Sequence, residues 1–306
     1  VPLRHFLNVT DFSRPELDAC LRLAMDMKKR RHEFDAFRGG SAALIFKKPS
    51  LRTRVSFEVG VSELGGHPIY ITDQEIGLGK RESVHDIAQV LSRFVSLIEL
   101  RTFAHSEVEE LAVHATVPVI NGLTDSYHPC QIVADLLTVL EHKGRLDGLT
   151  ITYLGDGNNV THSWLTAAER FDFQLRIGTT EGNDPDPEIV RRAQTASKRG
   201  VVITRDPREA VAGADVLYTD VWASMGQKEK AEENRRKLMP FQLNATLLAA
   251  AKPDAMVLHC LPAERGVEIT DEVMDGPQCK AFDQAENRLH AQKALMHMLL
   301  VDFQRA

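Results

Sequence analysis

Several large protein classes are set aside by what this 306-residue sequence has little of. It contains only four cysteines, Cys20, Cys130, Cys260 and Cys279, which are far apart and form no C-x-x-C pair. Neither a zinc knuckle nor a disulfide framework is therefore indicated, and a reducing, cytoplasmic setting fits best. The run of about 18 apolar residues that a membrane span needs is missing, and the first 18 residues lack the apolar centre of a signal peptide. A soluble intracellular protein is expected. A basic surplus is also absent, because 37 Lys and Arg face 43 Asp and Glu for a formal charge of -6. That balance argues against a general nucleic-acid or anionic-membrane surface, so any anion site must be local. No internal repeat, low-complexity tract or long linker is visible.

What is present is enough apolar material, 43% of residues, to fill two cores. A chain of this length exceeds one typical core, so two domains are expected. The spacing of Leu17, Leu21, Leu23, Ala24 and Met27 predicts a helix over 14–31, with Ser13 and Pro15 as start signals. Strands are predicted at 42–46, 67–71, 95–100 and 117–121, a charged glycine-bearing loop at 75–82, and helices at 83–94 and 130–141.

Residues 46–55 stand out at a strand-to-helix junction, where free backbone N–H groups and a positive dipole end meet Ser50, Arg52, Thr53 and Arg54. Such a junction suits a small, highly charged anion, though a capped helix start with solvated arginines has the same pattern. Two other strands hand over to Arg101 and to His128 and Gln131. Ligands of open α/β sheets bind at that carboxyl edge, and the shared placement favours a site over scattered surface charges.

The second half starts afresh. Strands predicted at 149–154, 174–177, 201–204, 215–218 and 255–258 alternate with helices near 160–170, 187–199 and 241–250. The fold class expected is α/β, with two doubly wound parallel-sheet domains joined by helices. Gly155 and Gly157 begin a dinucleotide fingerprint, but the third glycine is missing and Glu181 is a poor match for the ribose acid, so nicotinamide binding is disfavoured. Asp220 and Cys260 also follow strands. The first could cap a helix or orient an ammonium group, and the second could be inert or face a cleft. His259 and Cys260 are neighbours whose side chains point to opposite faces, which weakens a metal reading.

Taken together, S-L-R-T-R at 50–54, H-P-C-Q at 128–131, G-D-G-N-N at 155–159, D-V-W-A-S-M-G at 220–226, H-C-L-P at 259–262 and E-N-R at 286–288 resemble the ornithine carbamoyltransferases in order and over essentially the whole chain. The resemblance implies a carbamoyl-phosphate-binding domain over residues 1–135, with a helix at about 286–306 packing back on it, and an ornithine-binding domain over 136–285. It implies that Ser50, Leu51 through its backbone, Arg52 and Thr53 hold the phosphate. Arg101, His128 and Gln131 would bind and polarise the carbamoyl end, and Arg288 would close over the same ligand. Asn159, Asp220, Ser224, Met225, Cys260 and Leu261 would place L-ornithine. Arg52, Arg101, His128, Asp220 and Cys260 are the expected catalytic groups.

The implied reaction gives L-citrulline and phosphate, needs no metal or organic cofactor, and is carried out by a trimer or a multiple of trimers. Two positions depart from the family. Leu51 stands where Thr is frequent, and Lys47 stands where Glu is common, which reverses a charge beside the site. Three alternatives stay open at this point: a carbamoyltransferase for another amine such as putrescine or an acylated ornithine, a silent ligand sensor, and a nucleotide-binding dehydrogenase.

Overall fold

The computed structural model describes residues 2–79, 81–222 and 228–305. They divide into two compact units, Val1–Leu137 with Glu286–Ala306, and Thr138–Ala285.

In the first unit, helix α1 (Arg14–Lys29) starts as its sequence dictates. The Ser13 backbone N–H donates to Glu16 Oε2 at 2.6 Å while the Ser13 hydroxyl accepts from the Glu16 N–H, a reciprocal cap that satisfies two orphan donors. Strand β1 (Ser41–Phe46) is buried on both faces, as an internal strand of a parallel sheet must be. It leads into α2 (Leu51–Glu63), β2 (His67–Thr72), α3 (Asp73–Ile76), α4 (Val84–Leu91), β3 (Leu97–Arg101), α5 (His105–His114), β4 (Val119–Leu123) and α6 (Pro129–Lys143). The sheet order is β2-β1-β3-β4, all parallel, so the winding direction reverses between β1 and β3. One face carries Ala43, Ile45, Ile98, Leu100 and Val119, packed against Val84, Ile87 and Ala88 of α4 and Val108 and Leu111 of α5.

Several boundaries of this unit differ from expectation: β3 covers 97–101 and not 95–100, and α4 covers 84–91 and not 83–94. Strand β4 starts at Val119 and not at 117, because Pro118 has no N–H for the ladder and contributes only its carbonyl, to Ile98 N–H at 3.0 Å. It then runs through Gly122, where a Cβ would lie 1.6 Å from Glu99 Oε1, so any side chain there would have to displace the buried Glu99 carboxyl. The predicted loop at 75–82 begins within α3, and its Lys80 lies outside the described residues.

The second unit contains β5 (Thr150–Leu154), α7 (Asn159–Ala168), β6 (Gln174–Gly178), α8 (Pro187–Ala196), β7 (Val201–Thr204), α9 (Pro207–Val211), β8 (Val216–Thr219), α10 (Lys228–Leu238), α11 (Ala245–Ala250), β9 (Met256–His259) and α12 (Asp271–Met274). Its parallel sheet has the order β7-β6-β5-β8-β9 and reverses between β5 and β8. Helix α7 is buried around almost its whole circumference. Its Trp164 packs edge-on against Phe173 and Tyr218, and Tyr218 stacks on Tyr153 of the neighbouring strand at 5.8 Å.

Helix α11 starts at Ala245, four residues later than predicted, because the Asn244 side chain caps it by accepting from Leu247 N–H at 3.1 Å. Helix α13 (Ala281–His297) begins about five residues before the position near 286 that the resemblance implied, and continues into a π-helical stretch, Met298–Asp302. Its later turns join the first unit, where buried Lys293 donates to Glu63 Oε2 at 2.8 Å. Among the described residues, no helix is long and apolar enough to cross a membrane.

Candidate functional site

The first unit places its polar groups at the carboxyl ends of β1 and β3, the two strands between which the winding reverses and where such sheets open a crevice. Ser50 caps α2 and accepts from Thr53 N–H at 3.3 Å. Leu51 opens the helix with its side chain 73% exposed, so the departure from Thr leaves the backbone N–H in place. Thr53 is buried one turn in, and two guanidiniums converge on its hydroxyl oxygen. Arg101 Nη1 donates from 3.3 Å and Arg288 Nη2 from 3.1 Å. Arg288 also donates to Gln131 Oε1 at 2.7 Å and to Gln292 Oε1 at 3.0 Å, and Gln131 passes its amide on to Asp135 at 2.8 Å. The hydroxyl, both arginines and Gln131 are thus fixed before any ligand arrives.

Burial and the nearby charges of Arg288, Arg101 and Arg52 push the His128 imidazole well below its usual range, so it is neutral at physiological pH. Beneath the same cluster sits Glu99, fully buried on the Arg101 side of β3, with no hydrogen-bond partner for either carboxyl oxygen among the described residues. Desolvation raises its pKa well above the ordinary glutamate value, against the pull of Arg101 and Arg288. Lys47, the cation that seemed out of place in the sequence, is bound to Glu107 Oε1 at 2.8 Å with its side chain 6% exposed. Its charge is neutralised within the unit.

The second unit gathers its groups at the ends of β5, β8 and β9. Asp220 is 7% exposed, and its two oxygens divide the neighbours between them. Oδ1 accepts from Cys260 Sγ–H at 3.0 Å and from Val221 N–H at 2.8 Å, while Oδ2 accepts from Asn158 Nδ2 at 2.9 Å. Asn158 also caps α7, its Oδ1 accepting from Val160 N–H and Thr161 N–H at 2.9 and 3.2 Å. Asn159, the asparagine singled out in the sequence, is the first residue of the helix and is half-buried. The G-D-G run is not a dinucleotide cradle. Gly157 N–H donates to Asn183 O at 2.8 Å, and a Cβ there would lie 2.2 Å from Pro185 N, so this glycine serves a close approach of two loops.

Asp220, His259 and Cys260 each offer a ligand atom within 4.8 Å of the others, closer than opposite-pointing strand neighbours would allow. Both nitrogens of His259 are nevertheless engaged. Nδ1 accepts from Leu261 N–H at 2.9 Å, which puts the ring proton on Nε2, facing Glu268 Oε1 at 3.0 Å. The ring therefore serves the backbone of Leu261, which lies in the left-handed region at φ 58°. Ser224 and Met225 lie outside the described residues.

Reading the sequence missed Glu99, Glu107 and Glu268. The three glutamates gave no signal, since nothing in the sequence marks Glu99 and Glu268 as fully buried and Glu107 meets a lysine 60 positions away.

Comparison with known proteins covers nearly the whole chain. Residues 4–141 match the family described as aspartate/ornithine carbamoyltransferase, carbamoyl-P binding domain, and residues 147–299 match its Asp/Orn binding domain. The ornithine carbamoyltransferase of Thermococcus kodakarensis is 50% identical over 303 residues, 97% of this chain and 96% of that protein. That of Anoxybacillus flavithermus is 48% identical with the same coverage. The solved structure of the Pyrococcus furiosus ornithine carbamoyltransferase superposes with a TM-score of 0.92 at 46% identity, over 95% of each chain.

Proposed function

The chain belongs to the aspartate/ornithine carbamoyltransferase family, and on that premise we propose that it transfers the carbamoyl group of carbamoyl phosphate to the δ-amine of L-ornithine, giving L-citrulline and phosphate. The observation that carries this reading is the convergence of Arg101 and Arg288 on the Thr53 hydroxyl, a cluster of fixed donors at a helix start. Ser50, the Leu51 N–H, Arg52 and Thr53 bind the phosphate, with the α2 N-terminus adding its dipole. Arg288 neutralises the leaving group through charge-assisted bonds.

In the chemical step the neutral amine nitrogen attacks the carbonyl carbon, negative charge builds on the carbonyl oxygen, and the bond to the phosphate oxygen breaks. Arg101, Thr53 and His128 supply the donors for that oxygen. A neutral imidazole suits the task, since its N–H can donate without adding a cation to a site already rich in them. Gln131, whose oxygen keeps a second lone pair beside the Arg288 bond, accepts from the carbamoyl N–H. One preorganised donor of this kind contributes on the order of 100-fold in rate.

Asp220 orients the amine, with the Cys260 thiol beside it, and receives the proton that must leave before attack; the proton that the nitrogen sheds after attack goes to the departing phosphate. Asn159, Leu261, Ser224 and Met225 complete the ornithine contacts in this reading. The first unit is then the carbamoyl-phosphate-binding domain, corresponding to residues 1–135 with the helix at 286–306, and residues 136–285 form the ornithine-binding domain.

A cytoplasmic setting accords with four free cysteines, two of them buried. A trimer or a multiple of trimers accords with apolar Leu51, Val55 and Ile69, exposed on α2 and the edge strand β2. Sedimentation tests the assembly, and a fully active monomer would contradict it. Formation of citrulline from carbamoyl phosphate and L-ornithine by the purified chain tests the activity.

A further inference from the structure

Lys47 directly follows β1, and its backbone N–H donates to the Arg101 carbonyl at 2.9 Å, extending the ladder between β1 and β3 by one bond. Its ammonium reaches Glu107 in the first turn of α5 at 2.8 Å. The second oxygen of Glu107 accepts the hydroxyl of Thr102, the fully buried residue after Arg101. Thr102 N–H in turn donates to Leu123 O on the other side at 2.9 Å. These bonds close a ring that runs from the Lys47 backbone through Arg101 and Thr102 to Glu107 and back to the Lys47 ammonium. The Arg101 backbone is part of that ring, and its guanidinium leaves it to meet Thr53.

We propose that Lys47, Glu107 and Thr102 are positioning residues that set Arg101 for the phosphorylated ligand without contacting that ligand. The inference rests on the anion site of the proposed function. It opposes the simplest electrostatic reading, in which Lys47 is one more cation for the anion and Glu107 a carboxylate that repels it. In that reading, neutralising Glu107 tightens anion binding. In the ring, neutralising it leaves the buried Lys47 ammonium without its counter-charge and frees the Thr102 hydroxyl, so binding weakens. The sign of one substitution separates the two.

The experiment is calorimetric titration of the full chain with carbamoyl phosphate and with inorganic phosphate. Glu107→Gln and Lys47→Met should each weaken binding about tenfold, and the double variant should be no weaker than the weaker single, as for members of one connected network. Thr102→Val keeps both charges and should weaken binding about threefold, and it carries the test if a charge variant fails to fold. In turnover, KM for carbamoyl phosphate should rise while KM for the amine stays within about twofold, a split that general destabilisation would not give. Unchanged or tighter binding by Glu107→Gln, or additive losses in the double variant, would overturn the inference alone. A wild-type chain that binds neither anion would overturn the proposed function and the inference together.

Discussion

The first unit gathers three guanidiniums, Arg52, Arg101 and Arg288, around Thr53 and an uncharged His128, whereas the second sets one carboxylate, Asp220, among the neutral donors of Cys260, Asn158 and Val221. The difference follows from the ligands proposed for them. A phosphorylated ligand carries several charges and develops another during reaction, so its partners must be fixed beforehand, since reorganising them would cost rate. Arg101 and Arg288 are accordingly tied to a hydroxyl and to amide oxygens, which orient them without cancelling their charge. A single ammonium group needs only one counter-charge. Asp220 keeps its oxygens satisfied by donors that an amine can join or displace.

The largest effect expected from breaking this arrangement is at Arg52. Arg52→Ala should reduce kcat/KM by about 1,000-fold with the fold intact by circular dichroism, and near wild-type turnover would remove residues 50–54 from the site. Next comes the amine side. Cys260→Ser should lower kcat/KM for ornithine by about tenfold to a hundredfold, while calorimetric affinity for carbamoyl phosphate stays within about twofold of wild type. Equal losses in both would erase the division between the units.

The smallest effects concern two buried titratable groups of the anion side, and they have opposite pH signs. Glu99 has a raised pKa, so the native state keeps a proton that the unfolded state has lost, and stability falls as pH rises from the ordinary glutamate value toward the raised one. In urea denaturation Glu99→Gln should therefore gain stability over wild type as pH rises above the ordinary glutamate value, by up to about 1.4 kcal/mol per pH unit for as long as Glu99 stays protonated in the native state, and the difference should vanish near pH 4.5. A difference independent of pH would show that Glu99 is already ionised. His128 has a depressed pKa, so its contribution to stability is lost as pH falls below the ordinary histidine value. His128→Gln should flatten that acid-side decline, and a decline as steep as in wild type would place the titration elsewhere.

The sequence made the alternation of strands and helices readable because strands such as β1 and β8 are short apolar runs, buried throughout or nearly so and followed by polar residues. It made Ser13 and Ser50 readable as caps because a hydroxyl stands just before an apolar helical pattern. Helix α5 was not foreseen, and the reason is physical. Its cap position is Ala104, which offers no side-chain acceptor, and only Val108, Leu111 and Ala112 are buried along it. Helix α10 went unpredicted in a stretch crowded with Lys, Glu and Arg, where an apolar periodicity is absent.

At the site, residues at strand ends were identifiable one by one, but their pairing was not. That Arg288 would share the Thr53 hydroxyl with Arg101 depends on a contact spanning 235 positions. The same limit hid the partner of Lys47, which lies 60 positions away on helix α5, and made a neutralised lysine look like a stray charge.

The division between a charge-rich anion site and a single-carboxylate amine site is tested most directly by acceptor choice. The purified chain should be given carbamoyl phosphate with L-ornithine, N-acetyl-L-ornithine or putrescine, and kcat/KM measured for each. The account predicts citrulline from L-ornithine, with the other two amines at least about 100-fold less efficient. Equal or better carbamoylation of either alternative, or no product with any amine, would contradict it.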